Sequence, residues 1–199
     1  MVDVKVRSTI AVALVMLVGG LAPEASERMA PEVYTATTAN MTPAGLALKI
    51  DVLSWPAESD RGAVLSVLDG AGETGLSDLP TVGYVWPEDS GVGYSLKYAH
   101  RVEDQNGGER ITFVTGKRLG TFGREPWTTS GATSTDAGDF TVIESRLDGE
   151  GKGSGTMSLA TGVTLDRDAR TVSIEDFDAA PTLLDAVVRE PEPYWARGG

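Results

Sequence analysis

The chain has 199 residues, a net charge of −12 and no cysteine. This length supports a self-sufficient hydrophobic core, and the lack of cysteine excludes disulfides, thiol nucleophiles and thiolate metal sites. Because a surface this acidic repels phosphate backbones, we expect no nucleic-acid partner.

The N-terminus has the pattern of a secretory signal peptide. Lys5 and Arg7 precede an apolar run over residues 10–21, and small residues lie at its end. The run is shorter than the ~20 residues that cross a bilayer as a helix. We therefore expect residues 1–22 to be a signal peptide and the protein to be secreted or periplasmic, with no membrane span after cleavage. An uncleaved N-terminal anchor is the alternative.

The next part of the chain predicts two strands and a helix. Residues 33–41 are rich in threonine and predict a strand. Residues 46–52 alternate between apolar and polar side chains, which is typical of a strand with one buried face. Apolar residues then take helical spacing, with acidic residues before them and glycines after them. This change of period predicts one short helical insertion at about residues 57–79.

The stretch from Pro80 to Arg101 predicts an aromatic-rich β-hairpin. Both of its halves alternate between apolar and polar side chains on either side of a loop. A turn centred on Asp89 would place Tyr84 opposite Tyr94.

A second hairpin shares the strand that ends this stretch. The dipeptide Asn106-Gly107 suits the positive φ angles of a two-residue turn. That turn would place His100 opposite Phe113. Both hairpins would then carry their apolar residues on the same face of one sheet, and a slip of one residue would move them to the other face.

The remaining sequence predicts a long loop and further hairpins. Residues 116–138 are rich in Gly, Ser and Thr and are too long for a simple connector, which is typical of a lid, a binding loop or a disordered segment. Phe122 and Trp127 indicate that part of this loop packs down. Residues 140–147 and 154–165 predict another hairpin. A further turn at residues 166–170 would place Leu165 beside Val172 of a final strand.

These elements predict a mainly β fold. We expect an antiparallel barrel or sandwich of about eight strands with one short helical insertion, and the succession of hairpins favours the barrel. Residues 30–190 would form a single β-rich domain. Residues 183–188 are only a short apolar stretch in this interpretation, and the proline-rich residues 191–199 would be a flexible tail.

Four segments carry a resemblance to other proteins: VGY at 82–84, GYSLKYAHR at 93–101, LDGEGKGSGTMSLAT at 147–161 and TVSIEDFDAAPTLL at 171–184. Trp55, Arg61 and Leu65 belong to the same pattern. On these residues the chain resembles a family of uncharacterised secreted bacterial β-rich proteins, over residues 45–188. The resemblance implies export and a single β-rich domain. It assigns no activity and no catalytic residue.

Catalytic and metal patterns are sparse in the chain. His100 is the only histidine, so a Ser-His-Asp system would need it, and we interpret it as a structural residue. Transition-metal sites usually use two or more His or Cys ligands, and the acidic turns do not match the EF-hand spacing. We therefore expect no metal and no cofactor. Glu144 shares the parity of Phe140 and Val142. If that face is inward, its carboxylate either pairs with an arginine such as Arg146 or serves in hydrolysis, and we favour pairing or simple exposure.

The candidate ligand site consists of aromatic residues from the two hairpins. They are Tyr84, Trp86, Tyr94, Tyr98, His100 and Phe113. Phenolic hydroxyls and an indole N–H among apolar rings are typical of small-molecule pockets, although a packed core uses the same residues. We expect a binding protein rather than an enzyme, with a small apolar ligand or an envelope protein as its partner. The alternatives are a secreted hydrolase that uses inward carboxylates or His100, and a structural cell-envelope protein without a ligand.

Overall fold

The computed structural model describes these residues: 30–68, 75–124, 127–129, 140–158, 163–166, 171–174 and 181–191. The predicted signal peptide, the predicted tail beyond residue 191 and residues 130–138 of the long loop lie outside them.

The described part of the chain contains twelve strands, one α-helix and one 3₁₀ helix. The strands are β1 (Glu32–Thr38), β2 (Met41–Thr42), β3 (Ala47–Val52), β4 (Gly83–Pro87), β5 (Tyr94–Glu103), β6 (Glu109–Thr115), β7 (Thr128–Thr129), β8 (Val142–Leu147), β9 (Lys152–Ser158), β10 (Val163–Asp166), β11 (Thr171–Ile174) and β12 (Thr182–Arg189). The α-helix α1 is Glu58–Leu68, and the 3₁₀ helix is Leu76–Asp78. Both helices lie within the predicted insertion, and the mainly β fold class is confirmed.

Eight of the strands close into an antiparallel barrel. Their order around the ring is β1-β12-β9-β8-β6-β5-β4-β3, and β1 pairs with β3 to close it. The pairs β10-β11 and β2-β7 form two separate two-stranded ribbons. Closure pairs each barrel strand on both sides, which satisfies the backbone groups that an open sheet leaves at its edges. The fold is therefore the barrel and not the sandwich.

Apolar side chains fill the barrel interior. Leu48, Ile50 and Val52 of β3 are buried there, as the alternation of this strand predicts. The rings of Tyr34 and Phe113, which are also buried, lie with their centroids 5.6 Å apart. This interior is a packed core in which aromatic rings serve stability.

A second apolar cluster lies outside the barrel, beneath α1. Val64 and Leu65 of the helix pack with Tyr98, Val114 and Val142 on the outer face of three neighbouring strands. The helix therefore covers this part of the sheet. Within the described residues, no helix has the length and apolar character needed to cross a membrane.

A β-bulge in β5 changes which of its side chains face the interior. Leu96 pairs with Thr115, whereas Tyr98 pairs with Val114, so Lys97 is an extra residue in the strand. Leu96 belongs to the barrel core and Tyr98 to the outer cluster. The prediction of one uninterrupted apolar face along β5 is wrong, because a bulge interrupts strand alternation.

The predicted register of the first hairpin is wrong by one residue. Tyr94 pairs with Val85 and not with Tyr84. Residues 86–93 separate this pair, an even number that includes the end of β4, so the turn is not centred on Asp89. Val85 and Tyr94 are buried, whereas Tyr84 and Trp86 are 36% and 40% exposed. Tyr84 and Trp86 therefore lie on the outer face of the barrel.

The second hairpin is also shifted by one residue. Phe113 pairs with Ala99 and not with His100. The turn is a three-residue loop over residues 105–107, in which Gly107 has a φ of 79°. Such a loop ends in a left-handed residue that adds a bulge, which a two-residue turn lacks. His100 therefore faces outward, on the same side as the cluster under α1.

Strand β12 is not among the predicted strands. Its inward residues Leu184 and Val187 are three positions apart because its pairing with β9 shifts between them, and Ala186 has a φ of 50°. Period-two alternation is lost at this point. The segment predicted as one long strand is instead β9 and β10, although the predicted pairing of Leu165 with Val172 is confirmed.

Part of the long loop packs into the barrel. Leu119 and Trp127 are fully buried in the barrel core cluster. The indole Nε1 of Trp127 donates a 3.0 Å hydrogen bond to the carboxylate of Asp89 in the β4–β5 loop. The prediction that this loop packs down is thereby confirmed for its described part.

Candidate functional site

The structure distributes the six predicted ligand residues over several places. Tyr84 and Trp86 lie on the outer face of β4, Tyr94 and Phe113 belong to the barrel core cluster, Tyr98 lies in the cluster under α1, and His100 lies beside Tyr98. They do not form a common inner face. Of these six, Tyr84 and Tyr94 line a groove on the outside of the barrel.

This groove has a volume of about 260 Å³ and lies along the outer side of β4 and β5. It is lined by Ser77, Tyr84, Gly93, Tyr94, Ser95, Lys97, Gly116, Lys117 and Phe122. Small-molecule sites combine apolar walls with a few polar groups, and this volume is near the lower end of their usual range. The groove therefore suits one small ring system rather than a long chain.

Three aromatic residues line the groove, Tyr84, Tyr94 and Phe122, and Trp86 packs against Tyr84. The ring centroids of Tyr84 and Trp86 are 5.9 Å apart, and those of Tyr94 and Phe122 are 5.0 Å apart. The Trp86 ring lies so close to Gly93 that a Cβ there would be 2.9 Å from it. Burial raises the pKa of Tyr94, and its hydroxyl accepts a 2.7 Å hydrogen bond from the Phe122 backbone N–H. This bond fixes the loop that carries Phe122.

Lys97, the extra residue of the β5 bulge, also lines the groove. Lys97 is only 8% exposed. Its Nζ donates to the carbonyl oxygens of Ser77 and Leu79 at 3.0 and 2.8 Å, and to the Thr81 hydroxyl at 3.1 Å. Among the described residues, these neutral oxygens are its partners and no carboxylate pairs with it. Buried charges are usually paired, whereas within the described residues the charge of Lys97 is balanced by neutral dipoles.

Lys117 adds a second positive charge at the groove. Its Nζ lies 5.5 Å from the centroid of the Phe122 ring, within cation–π range. A Cβ at the adjacent Gly116 would be 2.9 Å from Ser95 Oγ and 3.0 Å from Lys97 Cε, so glycine keeps the floor open. The described lining contains two lysines and no Asp or Glu, in a chain with 29 acidic and 17 basic residues.

Carboxylates that face inward are engaged by arginines. Arg101 contacts Glu32 at 3.0 Å and Glu109 at 3.5 Å, and Arg189 contacts Glu109 at 3.1 Å. The Trp55 ring covers the Arg101 guanidinium at 4.9 Å. Burial raises the pKa of Glu109, although the two arginines oppose this effect. The network is a set of buried ion pairs rather than a pair of free catalytic carboxylates.

His100 and Glu144 lie on the other side of the sheet from these carboxylates. His100 pairs with Thr112, and Thr112 pairs with Glu144, so the three residues form a row across β5, β6 and β8 on the outer face. Glu144 is therefore not an inward residue. His100 and Thr112 are only 7% and 4% exposed, which gives a substrate little access. The described residues contain no group of three or more His, Cys, Asp or Glu that could hold a metal.

Sequence patterns did not identify Lys97, Lys117 or Ser95 as site residues. Lys97 stands at a polar position of an alternating strand, where a solvated lysine is ordinary. Phe122 could be identified from the sequence, because a large aromatic residue in a loop rich in Gly, Ser and Thr is unusual.

No family model, curated protein or solved structure matches the chain.

Proposed function

We propose that this protein is an exported binding protein that holds a small ring-bearing molecule in the outer groove. The observation that carries this proposal is the exposure of the groove walls: Tyr84 is 36% and Phe122 is 43% exposed. Large exposed aromatic residues that line a concave surface are typical of binding sites. Export is supported by the signal-peptide pattern of residues 1–22.

The shape of the groove favours a flat ligand. Tyr84 and Phe122 offer ring faces, and aromatic faces gain most from another flat ring placed over them at an offset. Ser95 supplies a hydroxyl for a polar substituent. The barrel interior is packed with buried side chains, so binding takes place outside the barrel rather than within it.

Two alternatives have less support. A hydrolase that uses an inward carboxylate or His100 would need these groups to be accessible, whereas Glu109 and His100 are both 7% exposed and Glu144 faces outward. A structural protein without a ligand would have no use for the exposed pair of Tyr84 and Trp86. Binding explains these exposed rings and the open floor of the groove together.

Amide NMR spectroscopy of the nitrogen-labelled protein tests this proposal, with naphthoate and its neutral amide, naphthamide, as probes. We expect at least one probe to shift the amide signals of Ser95, Gly116 and Phe122, which lie in the groove. The double variant Tyr84→Ala/Phe122→Ala should lose these shifts. The control Leu53→Ala/Val102→Ala removes exposed apolar side chains that do not line the groove. This control variant should show the same signal shifts as the wild type.

The proposal would be contradicted by the absence of shifts with both probes at millimolar concentration. Shifts that persist in Tyr84→Ala/Phe122→Ala would contradict it equally, because binding would then lie elsewhere on the protein.

A further inference from the structure

We infer that the ligand of the groove carries a carboxylate that lies against Lys97, an inference that rests on the proposed function. It deepens that function because it assigns a chemical class: small aromatic carboxylate anions. It is carried by the charge of the groove, by the burial of Lys97 and by the hydrogen bonds that fix its ammonium.

The charge of the groove opposes that of the whole chain. The net charge of −12 repels anions in general. The described lining of the groove nevertheless has two ammonium groups and no carboxylate. A local positive potential in an acidic protein selects an anion for this place and disfavours anion binding over the rest of the surface.

Lys97 is prepared for an anion before a ligand arrives. Three neutral oxygens hold its ammonium in a fixed position at 2.8–3.1 Å. The desolvation of this charge is therefore part of the folded state and is not an additional penalty on binding. A carboxylate beside it interacts in surroundings of low dielectric constant, where attraction between charges is stronger than in water.

The bulge determines what lies beside Lys97 on the outer face. Regular alternation from Leu96 would place Lys97 outward and Tyr98 inward, whereas the bulge leaves both side chains outward. Bulges recur next to functional sites, where they redirect a side chain. Here the redirected side chain is Tyr98, and Lys97 lies against Ser77 beside it.

The lysines indicate how the anion is held. A lysine ammonium acts as a compact point charge, whereas the planar fork of arginine binds carboxylate or phosphate through two parallel N–H groups. No arginine is in the described lining. Lys117 is exposed at the groove, so its contribution is screened by salt and is smaller than that of Lys97.

Isothermal titration calorimetry with naphthoate and naphthamide tests the inference, since the two probes share a ring system and differ in charge. All three N–H groups of the Lys97 ammonium already donate to protein oxygens, so the carboxylate gains from the nearby charge and not from a new hydrogen bond. We expect naphthoate to bind about tenfold more tightly than naphthamide. Lys97→Met and Lys117→Met should each reduce this preference, with the larger effect at Lys97. Lys152→Met, which removes an exposed lysine outside the groove, should leave it unchanged.

The outcomes separate this inference from the proposed function. The inference of a carboxylate ligand is overturned if the wild type binds the two probes equally. It is also overturned if Lys97→Met and Lys117→Met prefer naphthoate as strongly as the wild type does. Both results leave the proposed binding of a ring intact. Failure of both probes to bind overturns both claims. If Lys97→Met does not fold, Lys117→Met and the salt dependence of wild-type binding test the inference instead. Added salt must then weaken the binding of naphthoate and leave the binding of naphthamide unchanged.

Discussion

The buried ammonium of Lys97 donates a 2.8 Å hydrogen bond to the backbone carbonyl of Leu79. This bond ties the bulge of β5 to the segment that follows the 3₁₀ helix. The same bulge turns Tyr98 toward α1 and away from the barrel interior. One extra residue in a strand therefore shapes both the groove and the apolar cluster beside it.

Replacement of Lys97 should destabilise the fold. Lys97→Met removes three hydrogen bonds and leaves the carbonyls of Ser77 and Leu79 without their donor. We expect the free energy of unfolding to fall by about 1–3 kcal/mol. Urea unfolding at neutral pH measures this change. Lys152→Met, at an exposed hairpin, is the matched control and should remain within about 0.5 kcal/mol of the wild type. An equal effect of both variants would contradict the structural role of Lys97.

Trp127 should be a main stabilising residue of the long loop. It is fully buried, and Trp127→Ala would leave a cavity in the barrel core and remove the donor to Asp89. We expect a loss of about 3–5 kcal/mol in the free energy of unfolding. Trp86→Ala changes the same residue type at a position that is 40% exposed and should lose less than about 1 kcal/mol. Similar losses in the two variants would show that the loop does not pack into the barrel.

Glu109 should make stability depend on pH. Burial raises its folded-state pKa above the ordinary value of 4.5, so the folded state holds this proton more tightly than the unfolded state does. Its contribution is fully present below the unfolded pKa and is lost as the pH rises through the folded pKa. The free energy of unfolding of the wild type relative to Glu109→Gln should therefore decrease as the pH rises from about 4 to 7. Urea unfolding over this range measures the difference. An increase of this difference with pH would contradict the prediction, because it would mean that Arg101 and Arg189 lower the pKa of Glu109 more than burial raises it.

Gly107 should be required for the backbone of its turn. It has a φ of 79°, and the space around it is open, so an added methyl group acts only through backbone strain. Gly107→Ala should reduce the free energy of unfolding by about 1 kcal/mol. Gly91 has equally open space and no positive φ, and Gly91→Ala should stay within about 0.5 kcal/mol of the wild type. Thermal or urea unfolding measures the stability of both variants. Equal stabilities of Gly107→Ala and Gly91→Ala would contradict this assignment of the turn.

Regular parts of the fold could be predicted from the sequence. The alternation in β3 identifies Leu48, Ile50 and Val52 as one buried face, and these residues are in the core. The change to helical spacing identifies the insertion that contains α1. Where the backbone follows the ideal period of its element, the apolar pattern therefore carries the information.

The errors occur where the backbone departs from that period. The bulge at Lys97, the left-handed Gly107 and the irregular β12 each shift alternation without a strong local signal. The predicted register of the second hairpin is wrong by one residue because its loop has three residues and ends in Gly107. The predicted register of the first hairpin is wrong by one residue because its turn is not centred on Asp89, which leaves Tyr84 on the outer face. A bulge in a strand is stabilised by tertiary contacts, here the bonds from Lys97 to Ser77 and its neighbours, which are remote in sequence.

The candidate site was predictable only as a region. The aromatic stretch from Pro80 to Arg101 contains one side of the groove, including Tyr84 and Lys97. Its other side comes from Gly116 to Phe122, and Ser77 comes from the insertion. Only closure of the barrel and packing of the loop bring these segments together.

Native mass spectrometry of the protein purified from the organism that makes it tests ligand binding in the groove most directly. The wild type and the control Leu53→Ala/Val102→Ala should carry a bound small molecule of the same mass. Tyr84→Ala/Phe122→Ala, which removes both exposed walls, should be recovered as the bare chain. Recovery of the wild type as the bare chain, or an unchanged bound mass in Tyr84→Ala/Phe122→Ala, would contradict a ligand-binding role for this groove.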